Sequence, residues 1–386
     1  MKRTTTTTTK SPNFVTVDGL SLRRAMALVC NAIDRKTHIP ILGCVLISFD
    51  GTRLEFRGTD LEVEIETSID TIDGGYLSWS ACIDGAILSD IAKVAGCMSL
   101  RIEAKDGEAS ISLGENDAFY TVSTIDSGDF PNLGDSRGGL IETFPDGKFA
   151  SMLAAATPYV SREETRYYLN GVCWQHGPSG RRMAATDGHR LYCCRYADHD
   201  GENASRIIPR KAVDILSRIA RRASVSVYAV ENYAEQIWVD IGDAIVRLKL
   251  ISGRFPDFDR VIPPSQMQKH VIRFLSADVA SAIERACAIG SEQKNNGQAV
   301  RFQPEAGKVA IERRRANNDR SKALTAADWP EIGEKLEPFA FNGRYFSEMI
   351  GGCKGEIELR IIDSSSPFQI ADVDETVTRV LMPMRA

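Results

Sequence analysis

Three stretches of the chain repeat one spacing. Leu42 leads to Asp60 (ILGCVLISFDGTRLEFRGTDLE), Leu169 to Asp187 (YLNGVCWQHGPSGRRMAATDGHR) and Val300 to Asn318 (VRFQPEAGKVAIERRRANND), each across 18 residues. Each reads as an apolar strand, a polar turn with Gly, a second alternating strand and a polar Asp or Asn. A helix running into a strand follows each copy, from Gly85, Lys211 and Gly343, with starts 126 and 132 residues apart. Self-similarity at a domain-sized period predicts one unit built three times in tandem. DFPN and RFPD, at Phe130 and Phe255, read as one end-of-domain turn used twice. The connections after them, near 135–139 and 263–268, divide the chain into domains at 14–138, 139–264 and 265–386. Residues 1–13, with the tract MKRTTTTTTKSP, have no apolar face to bury and are expected to be disordered. Three like domains suggest a curved or ring-like body rather than an enzyme with one cleft.

Composition narrows the class. The 386 residues are 43% hydrophobic and 26% charged, ordinary values for a protein whose domains each bury a core. No apolar run approaches the roughly 18 residues of a membrane span, and the N-terminus lacks a signal peptide's apolar stretch. A cytoplasmic protein is expected. The nine cysteines lie mostly in apolar segments without a CxxC pair, so they read as reduced, packed thiols. The five histidines show no metal-ligand spacing, and no GxxxxGK[ST] run is present, so neither metal nor nucleotide cofactor is expected.

Helical and alternating segments interleave. SLRRAMALVCNAI, DGKFASMLAAATPYV and SADVASAIERACAI each open a domain as an amphipathic helix with Ser or Asp at or near its start. Strands such as LEFRGTD and EIELRII alternate, one face buried and one wet, which predicts an α+β fold with mainly antiparallel sheets. In the helix from Pro209, Val213, Leu216, Ile219 and Ala220 fall on one side and Lys211, Arg218 and Arg222 on the other, with Arg221 flanking them. Arg23, Arg24, Arg35, Lys36, Lys93, Arg344 and Lys354 repeat weaker versions of that basic face. A net charge of −5 argues weakly against nucleic acid, but repeated basic faces suit a surface that tracks phosphates without reading bases.

RYYLNG (166–171), AATDGHRL (184–191), IIPRK (207–211), LISGRFPDFDRVIP (250–263) and VLMPMR (380–385) strongly resemble the bacterial DNA polymerase III beta subunit family, the sliding clamps. IPILG, GTDLE, DFPNL and FNGRYF match as well, in order, so the resemblance runs from about Phe14 to Arg385. It implies three tandem clamp domains of the processivity fold. Antiparallel sheets would form the outside, and helices would line the hole of a head-to-tail dimeric ring around duplex DNA. It implies a non-catalytic processivity subunit that tethers a polymerase without sequence-specific grip.

The resemblance also implies site residues. Arg35, Lys36, Tyr167 and Tyr168 would contact DNA beside the basic helix residues Lys211, Arg218 and Arg222. The segment SREET (161–165) departs from the family pattern, and Arg162 is expected to contribute there. A partner-peptide pocket would draw on Leu169, Thr186, Gly188, His189, Arg190, Leu191, Pro256, Arg260 and Val261. Asn342, Tyr345, Val380, Leu381, Met382, Pro383, Met384 and Arg385 would complete it. Its Leu, Val, Pro and Met make a deformable apolar slot for Leu and Phe side chains of a linear peptide. Arg190, Arg260 and Arg385 would hold the peptide backbone or its acidic residues. Implied partners are the polymerase α subunit, the clamp loader δ subunit, translesion polymerases and mismatch repair proteins. Tyr120 and Val122 would meet Ala288 and Ile289 of a second copy. Ala288 is small for that joint, so a dimer weaker than usual is expected. Two other readings stay open: a monomeric clamp-like adaptor, and a hydrolase using Asp187 and His189.

Overall fold

The computed structural model describes residues 13–385, apart from 106, 116, 135–136, 231–234, 290–298, 306–307, 315–318 and 329–335. The Thr-rich tract lies outside the described residues. Contacts divide the chain into two compact units, one of Met1–Ala150 with Ile215–Leu250, the other of Ser151–Asp214 with Ile251–Ala386. The stretch expected as the middle domain, 139–264, therefore supplies both units.

Among the described residues every sheet is antiparallel, built from alternating strands, and in the first unit they form one sheet of 13 strands. Strands from the middle of the chain, Arg137–Phe144, Val225–Val230, Gln236–Asp240 and Ile245–Lys249, make up one end of it. Ile245–Lys249 then pairs with Val63–Asp70, setting Arg247 opposite Glu64 and Leu248 opposite Val63. Among its described residues the second unit has a sheet of eight strands and one of four. In the larger, Arg190–Ala197 from the middle of the chain pairs with Val377–Leu381 from its end, setting Leu191 opposite Val380. In the smaller, Arg320–Ala326 is an edge strand among the described residues. The connection expected near 135–139 is shorter than it reads: Arg137 to Gly139 already belong to the Arg137–Phe144 strand, paired with Val225–Val230.

Among the described residues the helices are α1 (Gly19–Val29), α2 (Gly85–Ala95), α3 (Lys148–Ala156), α4 (Arg210–Ile219), α5 (Ser276–Cys287) and α6 (Gly343–Ile350). The apolar stripe of α1, Leu22, Ala25, Met26 and Val29, is buried. Its cap is Asp18, three residues ahead of the expected start, whose carboxylate accepts from Ser21 N at 2.8 Å. α5 has no side-chain cap: Leu275 stands at its N-cap, a departure from the Ser or Asp expected there. On α4, Val213 and Leu216 of the predicted apolar side are at 0% exposure and Ile219 is half-buried; Ala220, also at 0%, follows the helix end, and Arg218 stands exposed. Arg222, expected on the same helix, lies beyond its end at Ile219.

The threefold repeat is real, but its third copy sits in a different register from the spacing read. Cys44 pairs with Asp84, Gly171 with Pro209 and Ala299 with Asn342, in each case just before a helix begins. The three positions that follow, Val45, Val172 and Val300, are all fully buried. Val300 is thus the counterpart of Val45 rather than of Leu42, a shift of three residues. Leu42 and Leu169 stand in the 3-10 turns Pro40–Gly43 and Glu164–Leu169 ahead of their strands, whereas Val300 is already inside the strand Ala299–Glu305, and an apolar residue alone does not mark where a strand begins. Asn318 lies outside the described residues.

Candidate functional site

The site is built on a five-residue turn in the second unit. Thr186 Oγ1 donates to Arg190 O at 2.7 Å, while Asp187 Oδ1 accepts from His189 N at 3.0 Å and Arg190 N at 3.1 Å. This bonding satisfies the turn's own amides. Gly188 supplies its left-handed residue (φ 88°), and a Cβ there would stand 2.7 Å from Arg166 Nη1. Asp60 and Thr59 make the same bonds in the first unit, so the Asp is a turn residue in both copies.

Arg190 locks the turn in place. It is 6% exposed. Its Nε donates to Asp187 Oδ2 at 3.0 Å, Nη1 to Glu348 Oε2 at 2.7 Å and Nη2 to Pro158 O at 2.6 Å. The guanidinium also lies 4.2 Å from the Tyr345 ring centroid. Burial raises the Glu348 carboxyl, but hydrogen bonds from Arg344 and Arg190 outweigh that and hold it below the usual range. Arg190 was expected to reach a bound peptide; its donors are instead committed within the protein, so it braces the turn. The same geometry answers the acid–base reading. Both Asp187 oxygens serve the turn and Arg190, while the His189 ring stacks on Tyr345 at 6.2 Å.

The opposite wall is the FPDFDR loop. Arg182 grips Asp259 with both terminal nitrogens, at 2.6 and 2.9 Å, and covers the Phe258 ring at 4.6 Å. Phe258 and Phe255 meet edge to face at 6.2 Å and join Leu169, Cys173, Leu191, Cys193 and Val380 in one buried cluster. Burial pushes the Cys173 thiol up to about 11 and the Cys193 thiol up to about 12, so both remain unreactive packing groups. Cys194, next to Cys193 in the strand, is buried as well.

Between these walls lies a cavity of about 250 Å³. Ten expected residues line it: Leu169, Thr186, Gly188, His189, Arg190, Leu191, Pro256, Val261, Val380 and Met382. Arg166, Tyr168, Asp257 and Phe258 also line it and were not expected. Arg166 and Tyr168 lie in the same RYYLNG stretch as Leu169, and Asp257 and Phe258 follow Pro256 directly, so adjacency was the available signal. The other expected residues stand outside the lining. Asn342 caps α6, accepting from Arg344 N and Tyr345 N at 3.1 and 3.3 Å. Leu381 is buried in its strand, and exposed Arg260 pairs with Asp257 at 2.9 Å. Tyr345 backs the turn through His189 and Arg190. Pro383 is half-buried, Met384 N donates to Ala340 O at 2.7 Å, and Arg385 is exposed.

The residues expected at DNA differ in exposure. Arg35, Lys36, Arg162, Tyr167 and Arg218 are exposed and Lys211 is half-buried. Tyr168 is half-buried against the apolar cluster, which puts it in the cavity wall. Arg344 pairs with Glu348 at 2.8 Å. At the expected joint, Val122 is buried within its own unit, and the strongly exposed neighbour is Phe119, at 68%. Tyr120 and Ile289 are half-buried and Ala288 is exposed.

Comparison with known proteins bears on the whole chain. Family profiles of the DNA polymerase III beta subunit match in order: the N-terminal domain at 14–134, the central domain at 143–257 and the C-terminal domain at 259–385. A beta sliding clamp of Caulobacter vibrioides is 31% identical over 385 residues, covering 96% of this chain and 99% of that one. The crystal structure of the beta sliding clamp of C. crescentus superposes with a TM-score of 0.86 at 27% identity, over 97% and 99% of the two chains. A DNA polymerase III beta subunit of Bartonella birtlesii, solved with bound griselimycin, gives 0.87 at 26% identity over 97% and 100%. Sequence, domain order and fold agree along the full length, and the chain belongs to the DNA polymerase III beta subunit family of sliding clamps.

Proposed function

We propose that the protein is a non-catalytic, cytoplasmic DNA sliding clamp, a processivity factor that encircles duplex DNA and tethers a polymerase through the cavity. The observation that carries the tethering half is the cavity itself. Apolar walls from Leu169, Leu191, Phe258, Val261 and Val380 are braced by Arg190, bound to Glu348, and by Arg182, whose terminal nitrogens hold Asp259. A slot of this size takes one or two apolar side chains of a linear peptide. Met382, 37% exposed at its mouth, can adapt to different partners. Proposed partners are the polymerase α subunit and the clamp loader δ subunit, with translesion polymerases and mismatch repair proteins as further users.

Sheet order supports closure by two copies. The third-copy strand Arg320–Ala326 is an edge, while its counterparts Val63–Asp70 and Arg190–Ala197 each pair with a strand of the next repeat. Ala118–Ile125 is the first repeat's equivalent of those accepting strands. It pairs with Trp79–Asp84 only at Thr124 and Ile125. Its free stretch and the Arg320–Ala326 edge of a second copy would complete each other, giving a head-to-tail homodimer. Arg35, Lys36, Arg162, Tyr167, Lys211 and Arg218 would then serve phosphates within the ring.

The test is fluorescence anisotropy with a labelled peptide carrying Leu and Phe. Saturable binding is expected, weakened about tenfold or more by His189→Ala together with Val380→Asp. Unchanged affinity in that variant would remove the cavity from the reading. Mass photometry in parallel separates a dimer from a monomeric adaptor, and the expected small Ala288 joint predicts dissociation above the nanomolar range.

A further inference from the structure

The two seams of the fold are one scaffold filled in two ways. In the first unit Lys249 N donates to Glu62 O at 2.9 Å; in the second Met382 N donates to His189 O at 2.9 Å. With the matching Thr–Asp turns, this fixes the correspondence residue by residue. Glu64, opposite Arg247, stands where Leu191 stands opposite Val380. The hairpin pairing of Leu46 with Arg57 and of Cys173 with Ala184 places Arg57 at the position of Ala184. Glu66 falls at that of Cys193.

In the second unit these positions line or floor the cavity. In the first they hold charge. Arg247 Nη1 donates to Glu64 Oε1 at 2.7 Å, and its Nη2 lies 2.7 Å from Glu66 Oε2. Arg57 Nη2 reaches the same Glu66 oxygen at 2.9 Å. Leu133 N, just after the first Phe-Pro turn, donates to Glu64 Oε2 at 3.4 Å. Glu64 is fully buried and Arg247 is 4% exposed. Burial pushes the Glu64 carboxyl above its usual range against the pull of Arg247 and Arg57. The sister seam shows that the scaffold holds with apolar residues here, and buried ion clusters rarely stabilise more than apolar packing does. Stability therefore does not account for the charges, whereas exclusion does. An apolar side chain entering this seam would have to part buried ions and leave them unpaired.

We infer that the Arg57–Glu64–Glu66–Arg247 cluster is a seal: it closes in the first unit the docking pocket that the same scaffold leaves open in the second, so one chain presents one peptide site. This rests on reading the cavity as a peptide pocket. The seal is also a specificity device. It limits each chain to one partner, so a polymerase and a loader compete rather than dock side by side.

Two exchanges test it, read by peptide stoichiometry and by binding of the apolar dye ANS. The opened protein, R57A/E64L/E66C/R247V, receives the residues of the second seam. The closed protein, L191E/V380R, receives the ion pair of the first. Wild type should bind one peptide per chain. The opened protein should gain a dye site and a second, weaker peptide site. The closed protein should lose peptide affinity by about 100-fold or more while keeping its circular dichroism spectrum. An opened protein that folds yet gains neither site overturns the inference, as does a closed protein that still binds within about threefold of wild type. Should the opened protein fail to fold, the closed one decides alone. Should wild type bind no peptide, the pocket reading fails, and the dye comparison between wild type, opened and closed proteins still decides whether the ions seal a cavity.

Discussion

One residue separates the two copies of the Thr–Asp turn in backbone terms. Gly188 has its counterpart in Leu61, which holds φ 77° and is the non-glycine residue with positive φ among those described. A bulky residue in that region costs roughly 1–2 kcal/mol, against roughly 0.5–1 kcal/mol for the chain entropy of a glycine. Leu61→Gly is therefore expected to stabilise the first unit by about 0.5 kcal/mol, and Gly188→Ala to destabilise the second by about 1 kcal/mol or more. Urea midpoints check both, and a loss in Leu61→Gly would show that the exposed leucine makes a contact worth more than its strain. Glu348 gives a pH prediction. Its folded carboxyl is held below the ordinary range, so its contribution to stability is present above the unfolded value and fades as pH falls through the folded one. Glu348→Gln should melt below wild type at pH 7, and the gap should narrow in acid. A gap independent of pH would mean that the ion pair with Arg190 is not its source.

At the scale of elements, the open stretch of the Ala118–Ile125 strand is the feature whose consequence is easiest to measure. Phe119 is 68% exposed on it, and an exposed apolar strand edge is a hazard unless another strand covers it. Phe119→Asp should shift the protein toward monomer in mass photometry while leaving its melting temperature near that of wild type; a persistent dimer would place the joint elsewhere. Val122, expected beside Tyr120 at that joint, is taken up by its own unit, so Phe119 rather than Val122 is the strand's exposed apolar residue. Periodicity made most strands and their buried faces legible, but in AFYTVSTI Phe119 lies on one face and Tyr120 and Val122 on the other, so the pattern does not choose between them. Likewise α4 could be read as amphipathic from Val213 and Leu216, but its end at Ile219 could not, because helix ends depend on local caps that a pattern does not show.

For the whole molecule, topological retention and electrostatic attraction make different predictions. Contact through basic side chains weakens steeply with salt, whereas an encircling protein leaves only when it opens or reaches an end. Protein loaded on nicked circular DNA should stay bound at about 0.5 M salt, where counterion release has removed most phosphate affinity, and should be lost when the circle is cut once. Loss from the uncut circle at the same salt would favour the adaptor reading over the clamp. The stretches that resemble the family are spread along the chain, from about Phe14 to Arg385, and their collinear order is what makes the family legible in the sequence.

Strand alternation and turn chemistry are local properties of the chain and made the repeated architecture legible, while the resemblance in stretches such as RYYLNG, TDGHRL, FPDFDR and VLMPMR pointed to the family and to ten residues that line the cavity. The folded arrangement set what those residues do together. It turned Arg190 inward to Glu348, placed Tyr168 in the cavity wall, and moved the third repeat by three residues. It also set Glu64 against Arg247, 183 residues away in sequence. No local pattern announces that pairing, since a charged residue on an alternating strand reads as solvent-facing until its partner strand is known.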